Sequence, residues 1–484
     1  MTDCLMFSRE PRVTIVIVNW NKRPYVIKLL DSLRTIEYGN YTIVLVDNAS
    51  TDDSVAAIKE HELAVTLLEN KENLGGTGGF NTGILYALRT LAQDYIWLLD
   101  NDAEVLPDTL KMLVAHLECD DSIGIAGSCI MSPEDRDLIV EAGAYVGWKT
   151  GTSNPHLRYQ RRDSYQGERV IDVDSVAACS ALVRDSVARR VGLMDERFFL
   201  HWDDIDYCLR IRNAGFRVVA LLDAPAFHVA EKGYNPAISY YNFRNSLLFL
   251  AKHRTGVSLA LSLFNVLGNY LALSVYLRLS GRRNAAANLF SALLDFLGKR
   301  FGGAGSRLAP REDPGARDSV QIDFIGRHSR VLVFAVGSFD DVAATIRCLK
   351  ESGHRGAISI AVSADRAIIY NLPEVDSLIT YDLFSSRLSG KLSTAWKIVR
   401  GRFDCGITAG DPFVMPYAYF LPKNVYFDRC DGSLRPSGVS RLSLWKAPVA
   451  MICGKLLAVF SVLPVVVIGT MLRSSQENHG SLPE

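Results

Sequence analysis

Cysteine in metal-binding or redox spacing is missing from this chain. Nine cysteines, at positions 4, 119, 129, 179, 208, 348, 405, 430 and 453, form neither a C-x-x-C pair nor a zinc-type cluster. An odd count cannot pair completely within one chain, so the cysteines read as reduced and a disulfide scaffold is excluded. A basic excess is missing as well: Lys+Arg and Asp+Glu each total 53. Counterion release therefore gives the chain no drive toward nucleic acid, and no nucleic-acid partner is expected. The N-terminus lacks the long apolar stretch of a signal peptide, because Asp3, Arg9, Glu10 and Arg12 precede an apolar run that ends in Asn19. Neither G-x-x-x-x-G-K-[ST] nor a clean G-x-G-x-x-G after a strand occurs, which disfavours an NTPase or a dinucleotide oxidoreductase.

What is present is ordinary globular composition. The 484 residues are 48% apolar and 22% charged, enough for roughly three folding units. Residues 12–102 alternate strand-like runs (RVTIVIV, YTIVLVD, AVTLLEN, YIWLLDND) with amphipathic segments near Tyr25–Thr35, Ser54–His61 and Asn81–Ala92. Strands apolar on both faces and separated by helices predict a mostly parallel sheet covered by helices. Ligands bind such sheets beyond the carboxyl ends of the strands. Polar residues collect there: Asn19, Trp20 and Asn21; Asp47, Asn48 and Ser50; Asp100, Asn101 and Asp102.

Further along, charge stops at Arg254 and resumes at Arg278. The uncharged stretch could span a bilayer, which takes about 20 apolar residues, but asparagines and serines dilute it, so a buried or interfacial helix is the alternative. Basic flanks at Lys252, Arg254, Arg278, Arg282 and Arg283 suit anionic headgroups. Gly-, Pro- and charge-rich residues 300–325 read as a linker. Beyond it, residues 326–440 repeat strand and helix alternation, including VLVFAVG, ISIAVS, SLITYD, CGITAG and NVYFDR, and a helix near Ser389–Arg400. That unit carries no motif with defensible chemistry. Residues 441–484 hold a second apolar stretch, Leu456–Leu472, interrupted by Pro464. The expected organisation is thus 1–255, an α/β nucleotide-binding domain; 256–299, a hydrophobic helical segment; the linker; 326–440, a smaller α/β domain; and an apolar C-terminal segment.

Four constellations can carry chemistry. Asp100 and Asp102 end a buried strand, and two hard oxygen donors so close suit Mg²⁺ or Mn²⁺, although a polar turn capping the next helix explains them too. Trp202-Asp203-Asp204-Ile205-Asp206 precedes a helix ending at Gly215. Acids at a helix start are favoured by the macrodipole, so Asp204 can be a general base only if it escapes capping. His228 follows the strand RVVALLD and gains a metal-binding role only if it converges with Asp102. Asn73–Phe80, with four glycines including Gly76, is either a phosphate cradle at a helix start or a plain turn.

Taken together, VTIVIVNWNK, IVLVDNASTDDS, ENLGGTGGFNTGI, WLLDNDAEVLPDTL, FFLHWDDIDYCLRIRNAGF and YYNFRNSLLFLAKH resemble the family 2 glycosyltransferases with the GT-A fold, over roughly residues 12–255. NLGGTGGF and WDDID are similar to bacterial galactofuranosyltransferases; NWN, VDNAST and YYNFRN also resemble rhamnosyltransferases of surface polysaccharide synthesis. The resemblance implies a GT-A, Rossmann-like domain that inverts the sugar and needs Mg²⁺ or Mn²⁺. It implies Asn19, Asp47, Gly76, Asp100 and Asp102 as nucleotide and donor contacts, with Asp47 at the base and Asp100/Asp102 as the D-x-D element. Asp204 would be the general base, Trp202 and Asp203 would contact the acceptor, and His228 would join Asp102 at the metal. Asn101 stands where some galactofuranosyl enzymes carry an Asp, and Ala177-Ala178-Cys179-Ser180 stands where the family often has a Gly-Ala pair. The implied partners are a nucleotide-sugar donor and a glycan or lipid-linked acceptor, at the cytoplasmic face of the cell membrane with peripheral or anchored attachment; the oligomeric state stays open. Single displacement needs no covalent nucleophile, so the missing G-x-S-x-G elbow is no objection. A nucleotidyltransferase would share the metal site but opens with a Gly-rich basic loop after strand one, where this chain reads NWNKRPY. A non-catalytic sugar-nucleotide-binding module is the other alternative.

Overall fold

A computed structural model of the chain describes residues 9–158, 160–228, 236–279, 283–310, 329–335, 339–363, 375–381, 400–409, 423–428, 433–436 and 446–474. In chain order the first unit runs β1 (Val13–Asn19), α1 (Arg23–Leu33), β2 (Tyr41–Asp47), α2 (Ser54–Glu60), β3 (Thr66–Glu69), α3 (Gly75–Thr90), β4 (Tyr95–Asp100), β5 (Ala103–Val105) and α4 (Thr109–Cys119). It continues through β6 (Ile123–Met131), β7 (Ile139–Glu141), β8 (Ala144–Gly147), β9 (Thr152–Pro155), β10 (Val170–Asp172), β11 (Ser180–Arg184), α5 (Asp185–Val191), α6 (Asp203–Asn213) and β12 (Arg217–His228). Three helices follow, α7 (Pro236–His253), α8 (Gly256–Leu279) and α9 (Arg283–Leu297).

The main sheet has the order β10-β12-β6-β11-β4-β1-β2-β3, with β5 on the edge of β12 and β7 on β6. β1 pairs in parallel with β2 and β4, and β2 with β3. β11 lies antiparallel between β4 and β6, so the whole sheet is mixed, and the mostly parallel sheet expected from residues 12–102 holds only for its first half. Alternation along β1 shows why both faces are apolar: Val13, Ile15 and Ile17 enter one core with Leu29 and Leu30 of α1, while Val16 enters the other with Phe80 and Ile84 of α3.

The glycine-rich segment is a correction. Gly75 to Gly83 are not a loop before a helix but the first turns of α3. A Cβ on Gly79 would sit 2.4 Å from Val18 Cγ1, and one on Gly83 would sit 2.3 Å from Val16 Cγ1. These glycines let the helix lie directly on β1.

α7, α8 and α9 build a third core in which Tyr240, Phe243, Phe249 and Phe296 are buried together with Phe198 and Trp202 from the loop before α6. The smaller α/β unit contains β13 (Val331–Ala335), α10 (Phe339–Glu351), β14 (Ile358–Ser363), β15 (Ser377–Tyr381), β16 (Cys405–Ala409), β17 (Lys423–Asp428) and β18 (Ser433–Pro436), in the order β15-β14-β13-β16-β17-β18. Only β18 among these pairings is antiparallel. The chain then returns as α11 (Lys446–Ser474), which packs along α8 so closely that a Cβ on Gly454 would meet the backbone of Ala272. Gly256–Val275 is long and apolar enough to cross a membrane, although the window is 39% buried. Most of the expected linker and most of the helix expected near Ser389–Arg400 lie outside the described residues. Cys119 is disulfide-bonded, which corrects the reading of every cysteine as reduced.

Candidate active site

The carboxyl ends of β1, β2 and β4 meet in register. Asn19 is the partner of Asp47, and Val18 is the partner of Asp100, so residues separated by up to 82 positions reach one edge. Asn19 Nδ2 donates to Asp47 Oδ1 (3.1 Å) and to Ser50 Oγ (3.2 Å), and its Oδ1 accepts from Asn101 Nδ2 (2.9 Å). The other Asp47 oxygen accepts from the Ser50 amide at 2.9 Å. Asp47 is only 2% exposed, so its carboxylate shapes the β2 turn from within. Asn48, also buried, ties that turn to the start of α3: Nδ2 donates to Asn73 Oδ1 and Gly75 O, and Oδ1 accepts from Asn70 Nδ2 and the Leu74 amide. Gly76 lies in the first turn of α3, where a Cβ would meet only Leu200 within 4 Å.

The second group assembles through β5. Pairing of β5 with β12 sets Ala103 opposite His228 and carries the imidazole to the β4 turn. His228 Nε2 lies 3.0 Å from Asp102 Oδ1 and 3.8 Å from Asp100 Oδ2. Lys22 Nζ, from the segment after β1, donates to Asp102 Oδ2 at 2.6 Å. Burial works against ionisation of Asp102, yet the hydrogen bonds from His228 and Lys22 hold it at about 2. Asp100 is pushed up to about 6, chiefly by burial, with His228 pulling down and Asp102 pushing up. His228 is itself raised: its burial is outweighed by Asp102 and Asp100.

Ligand atoms of Asp100, Asp102 and His228 all lie within 4.8 Å of one another, a group among the described residues able to hold a metal ion. Two carboxylates and one imidazole suit Mn²⁺ or Mg²⁺ completed by diphosphate oxygens. The ammonium of Lys22 on Asp102 shows that this carboxylate already attracts a cation.

The third group is the first turn of α6. Trp202 is its N-cap with φ 72°, and no side chain caps the helix. Asp203 is buried, and its Oδ2 accepts from Thr77 Oγ1 at 2.7 Å, which ties α6 to α3. Asp204 Oδ1 accepts from the adjacent Ile205 amide at 2.8 Å. Its carboxyl is pushed up to about 8 by burial and by the neighbouring carboxylates of Asp203 and Glu141. Asp206 is different: fully buried, it pairs with Arg210 at 3.0 Å and with Lys252 and His253 of α7 at 2.8 and 2.7 Å. The Trp202 indole is buried against Phe249, ring centroids 5.0 Å apart, and faces the helical core.

Sequence reasoning did not single out Lys22, Thr77 or Glu141. Glu141 closes the short strand β7, where nothing local marks it; its carboxyl is raised by burial and lowered by Arg158 and His228. The departure at Ala177–Ser180 belongs to the floor of the site. The Cys179 carbonyl accepts from the Asp100 amide, and Ser180 Oγ accepts from Trp97 Nε1 at 3.2 Å. The Cys179 thiol lies well above its ordinary range, first through burial and then through Asp100 and Glu141.

Residues 14–191 match the family described as Glycosyl transferase family 2. Galactofuranosyltransferase GlfT2 of Mycobacterium tuberculosis is 27% identical over 209 residues, 39% of this chain and 32% of that one; this chain thus matches about a third of that relative's length. The dTDP-rhamnosyl transferase RfbF of Shigella flexneri is 27% identical over 261 residues, 51% of this chain and 82% of that one. A mannosyltransferase of Pyrobaculum calidifontis, PcManGT, in complex with GDP-Man and Mn²⁺, superimposes with a TM-score of 0.41 at 20% identity, covering 60% of this chain and 89% of that one. The chain carries a family 2 glycosyltransferase domain, distantly related to galactofuranosyltransferases and rhamnosyltransferases.

Proposed function

We propose that the protein is an inverting, metal-dependent glycosyltransferase that moves galactofuranose or rhamnose from a nucleoside diphosphate to a hydroxyl of a glycan or lipid-linked acceptor, in cell-surface polysaccharide synthesis. The observation that carries this reading is convergence: Asp100 and Asp102, His228, and a half-buried Asp204 come from three distant segments to the surroundings of Cys179 at the end of β4. The two groups of relatives, galactofuranosyl and rhamnosyl transferases, support these donors.

Asp204 accepts the acceptor hydroxyl's proton as that oxygen attacks the anomeric carbon, and the bond to the diphosphate oxygen breaks on the opposite face. Its raised pKa makes it a competent base near neutrality. Asp203, held by Thr77, keeps the first turn of α6 fixed during the displacement. Asp100, Asp102 and His228 would hold a Mn²⁺ or Mg²⁺, which supplies positive charge to the departing diphosphate. Lys22 lies beside that position and adds a further cation for phosphate oxygens.

Purified protein with Mn²⁺ is tested for nucleoside diphosphate release from UDP-galactofuranose, dTDP-rhamnose and common UDP-hexoses. Turnover with one donor, lost in Asp204→Asn and Asp102→Ala, is the expected result. Donor binding with no turnover, in the presence of a lipid-linked acceptor extract, would favour a non-catalytic binding module. Attachment at the cytoplasmic face of the membrane belongs to the same proposal. Its support is an unbroken apolar stripe on α11, Ile452, Leu456, Val459, Phe460 and Leu463, all exposed, on a helix whose other side buries Ala458 and Val465.

A further inference from the structure

The motif Tyr240-Tyr241-Asn242-Phe243-Arg244-Asn245 has no place in the chemistry above, yet it holds two fully buried polar side chains. Both act on the segment 197–202, which leads into α6. That segment contains no glycine, but Phe199, His201 and Trp202 have φ of 66°, 63° and 72°, a region that residues with a Cβ avoid. Three such residues in four positions persist only where the surroundings over-determine the backbone.

The surroundings do so through main-chain carbonyls. Asn245 Nδ2 lies 2.9 Å from Phe198 O, 2.8 Å from Leu200 O and 2.9 Å from His201 O. Arg244 donates from Nη2 to Arg197 O and Phe198 O and from Nη1 to Gly302 O at 2.6 Å. Its Nε donates to Asn245 Oδ1 at 3.0 Å. This last bond fixes the amide's orientation, so its NH₂ must face the loop. On the other side, Phe199 O accepts from the Thr77 amide at 3.3 Å, and Gly75 leaves room for that carbonyl: a Cβ there would lie 2.2 Å from it. The strained loop is thus clamped between the start of α3 and α7, and the residues that follow it are Asp203 and Asp204.

We propose that Arg244 and Asn245 are positioning residues for glycosyl transfer: they hold the 197–202 loop in its left-handed backbone and so fix the first turn of α6 that carries the Asp204 carboxylate. A buried guanidinium bonded to backbone carbonyls is a costly device for mere packing, whereas it is suited to fixing several carbonyls in one geometry. The role rests on the transferase reading, because it is defined by Asp204 as base.

The test compares full-length wild type with Asn245→Asp, which keeps the side chain's size but turns the donor into a carboxylate, and with Asn245→Ser and Arg244→Lys. Three readouts are taken: kcat and donor KM with Mn²⁺, the pH dependence of kcat/KM, and amide hydrogen exchange across residues 199–205. The expected result is a kcat lowered about 100-fold with donor KM changed less than about threefold, since misplacement of the base leaves donor contacts in place. Exchange at 199–205 rises about tenfold, and the acid limb of the profile moves to lower pH as Asp204 gains water. Should Asn245→Asp fail to fold, Asn245→Ser and Arg244→Lys give the same comparison. A kcat within about threefold of wild type and an unmoved acid limb would overturn the positioning role. Exchange indifferent to both residues would overturn the clamp alone, while a wild type silent with every donor would overturn the transferase reading and with it this role.

Discussion

In the proposed transfer most of the chemistry turns on Asp204, and its ionisation yields predictions of two kinds. With its carboxyl raised to about 8, the basic form is lost as pH falls. The kcat/KM of the metal-loaded enzyme should therefore drop about tenfold per pH unit below that value. Asp204→Asn should lower kcat by about 10³-fold while leaving donor binding intact, as measured by calorimetry with the nucleoside diphosphate. The same substitution should raise the thermal midpoint at neutral pH. The sign follows from linkage: the folded pKa lies above the unfolded value, near 4, so folding at pH 7 must take up a proton that the unfolded carboxylate does not hold, and an amide removes that cost. Loss of both activity and midpoint would contradict a strained functional acid. At this scale the sequence was partly legible. Asp100, Asp102 and Asp204 were visible because acids crowd a strand end and a helix start. Lys22, Thr77 and Glu141 were not, since each is one polar residue in an unremarkable segment and becomes meaningful only through a neighbour 63 to 126 residues away.

Elements are joined here by two devices that carry predictions of their own. The first is close packing of α3 on β1 through glycine. Gly83→Ala places a Cβ 2.3 Å from Val16 Cγ1, overpacking that should cost about 1–3 kcal/mol in denaturant unfolding. The second is the buried cluster of Asp206, Arg210, Lys252 and His253, which latches α6 to α7. Asp206→Ala leaves Lys252 buried beside one remaining partner, Asp195 at 2.8 Å, and should cost about 3–5 kcal/mol. Lys252, Arg210 and His253 hold the Asp206 carboxyl far below its ordinary range against its burial. Its stabilising contribution is therefore full above the unfolded value near 4 and declines as pH falls below it. Acid titration of the wild type followed by circular dichroism, set against Asp206→Asn, measures that contribution. Periodicity identified β1, β2 and β4 because buried parallel strands are continuous apolar runs. It misplaced the start of α3 because glycines read as loop, whereas here they are the contact surface of a helix.

Across the whole molecule, the chain that leaves the catalytic sheet at α7 returns, after the second α/β unit, as α11 lying on α8. The outer stripe of α11, where Phe460 is 79% and Leu463 71% exposed, predicts binding to anionic vesicles. The double variant Phe460→Glu, Leu463→Glu should abolish co-sedimentation while leaving turnover of a water-soluble acceptor unchanged; equal sedimentation of both proteins would refute it. Composition and charge balance, the strand runs and the ordered acidic motifs were readable without coordinates because each depends on residues adjacent in sequence, whose spacing alone sets which face they share. Which acids serve the site and which serve the frame was decided only by tertiary structure. Asp204 and Asp206 stand two positions apart in the same motif, yet one faces the carboxylates of Asp203 and Glu141 and the other Lys252, Arg210 and His253. The helix rotates by about 100° per residue, so a step of two sends neighbours to different surroundings, and what waits on each side comes from parts of the chain that no local pattern connects.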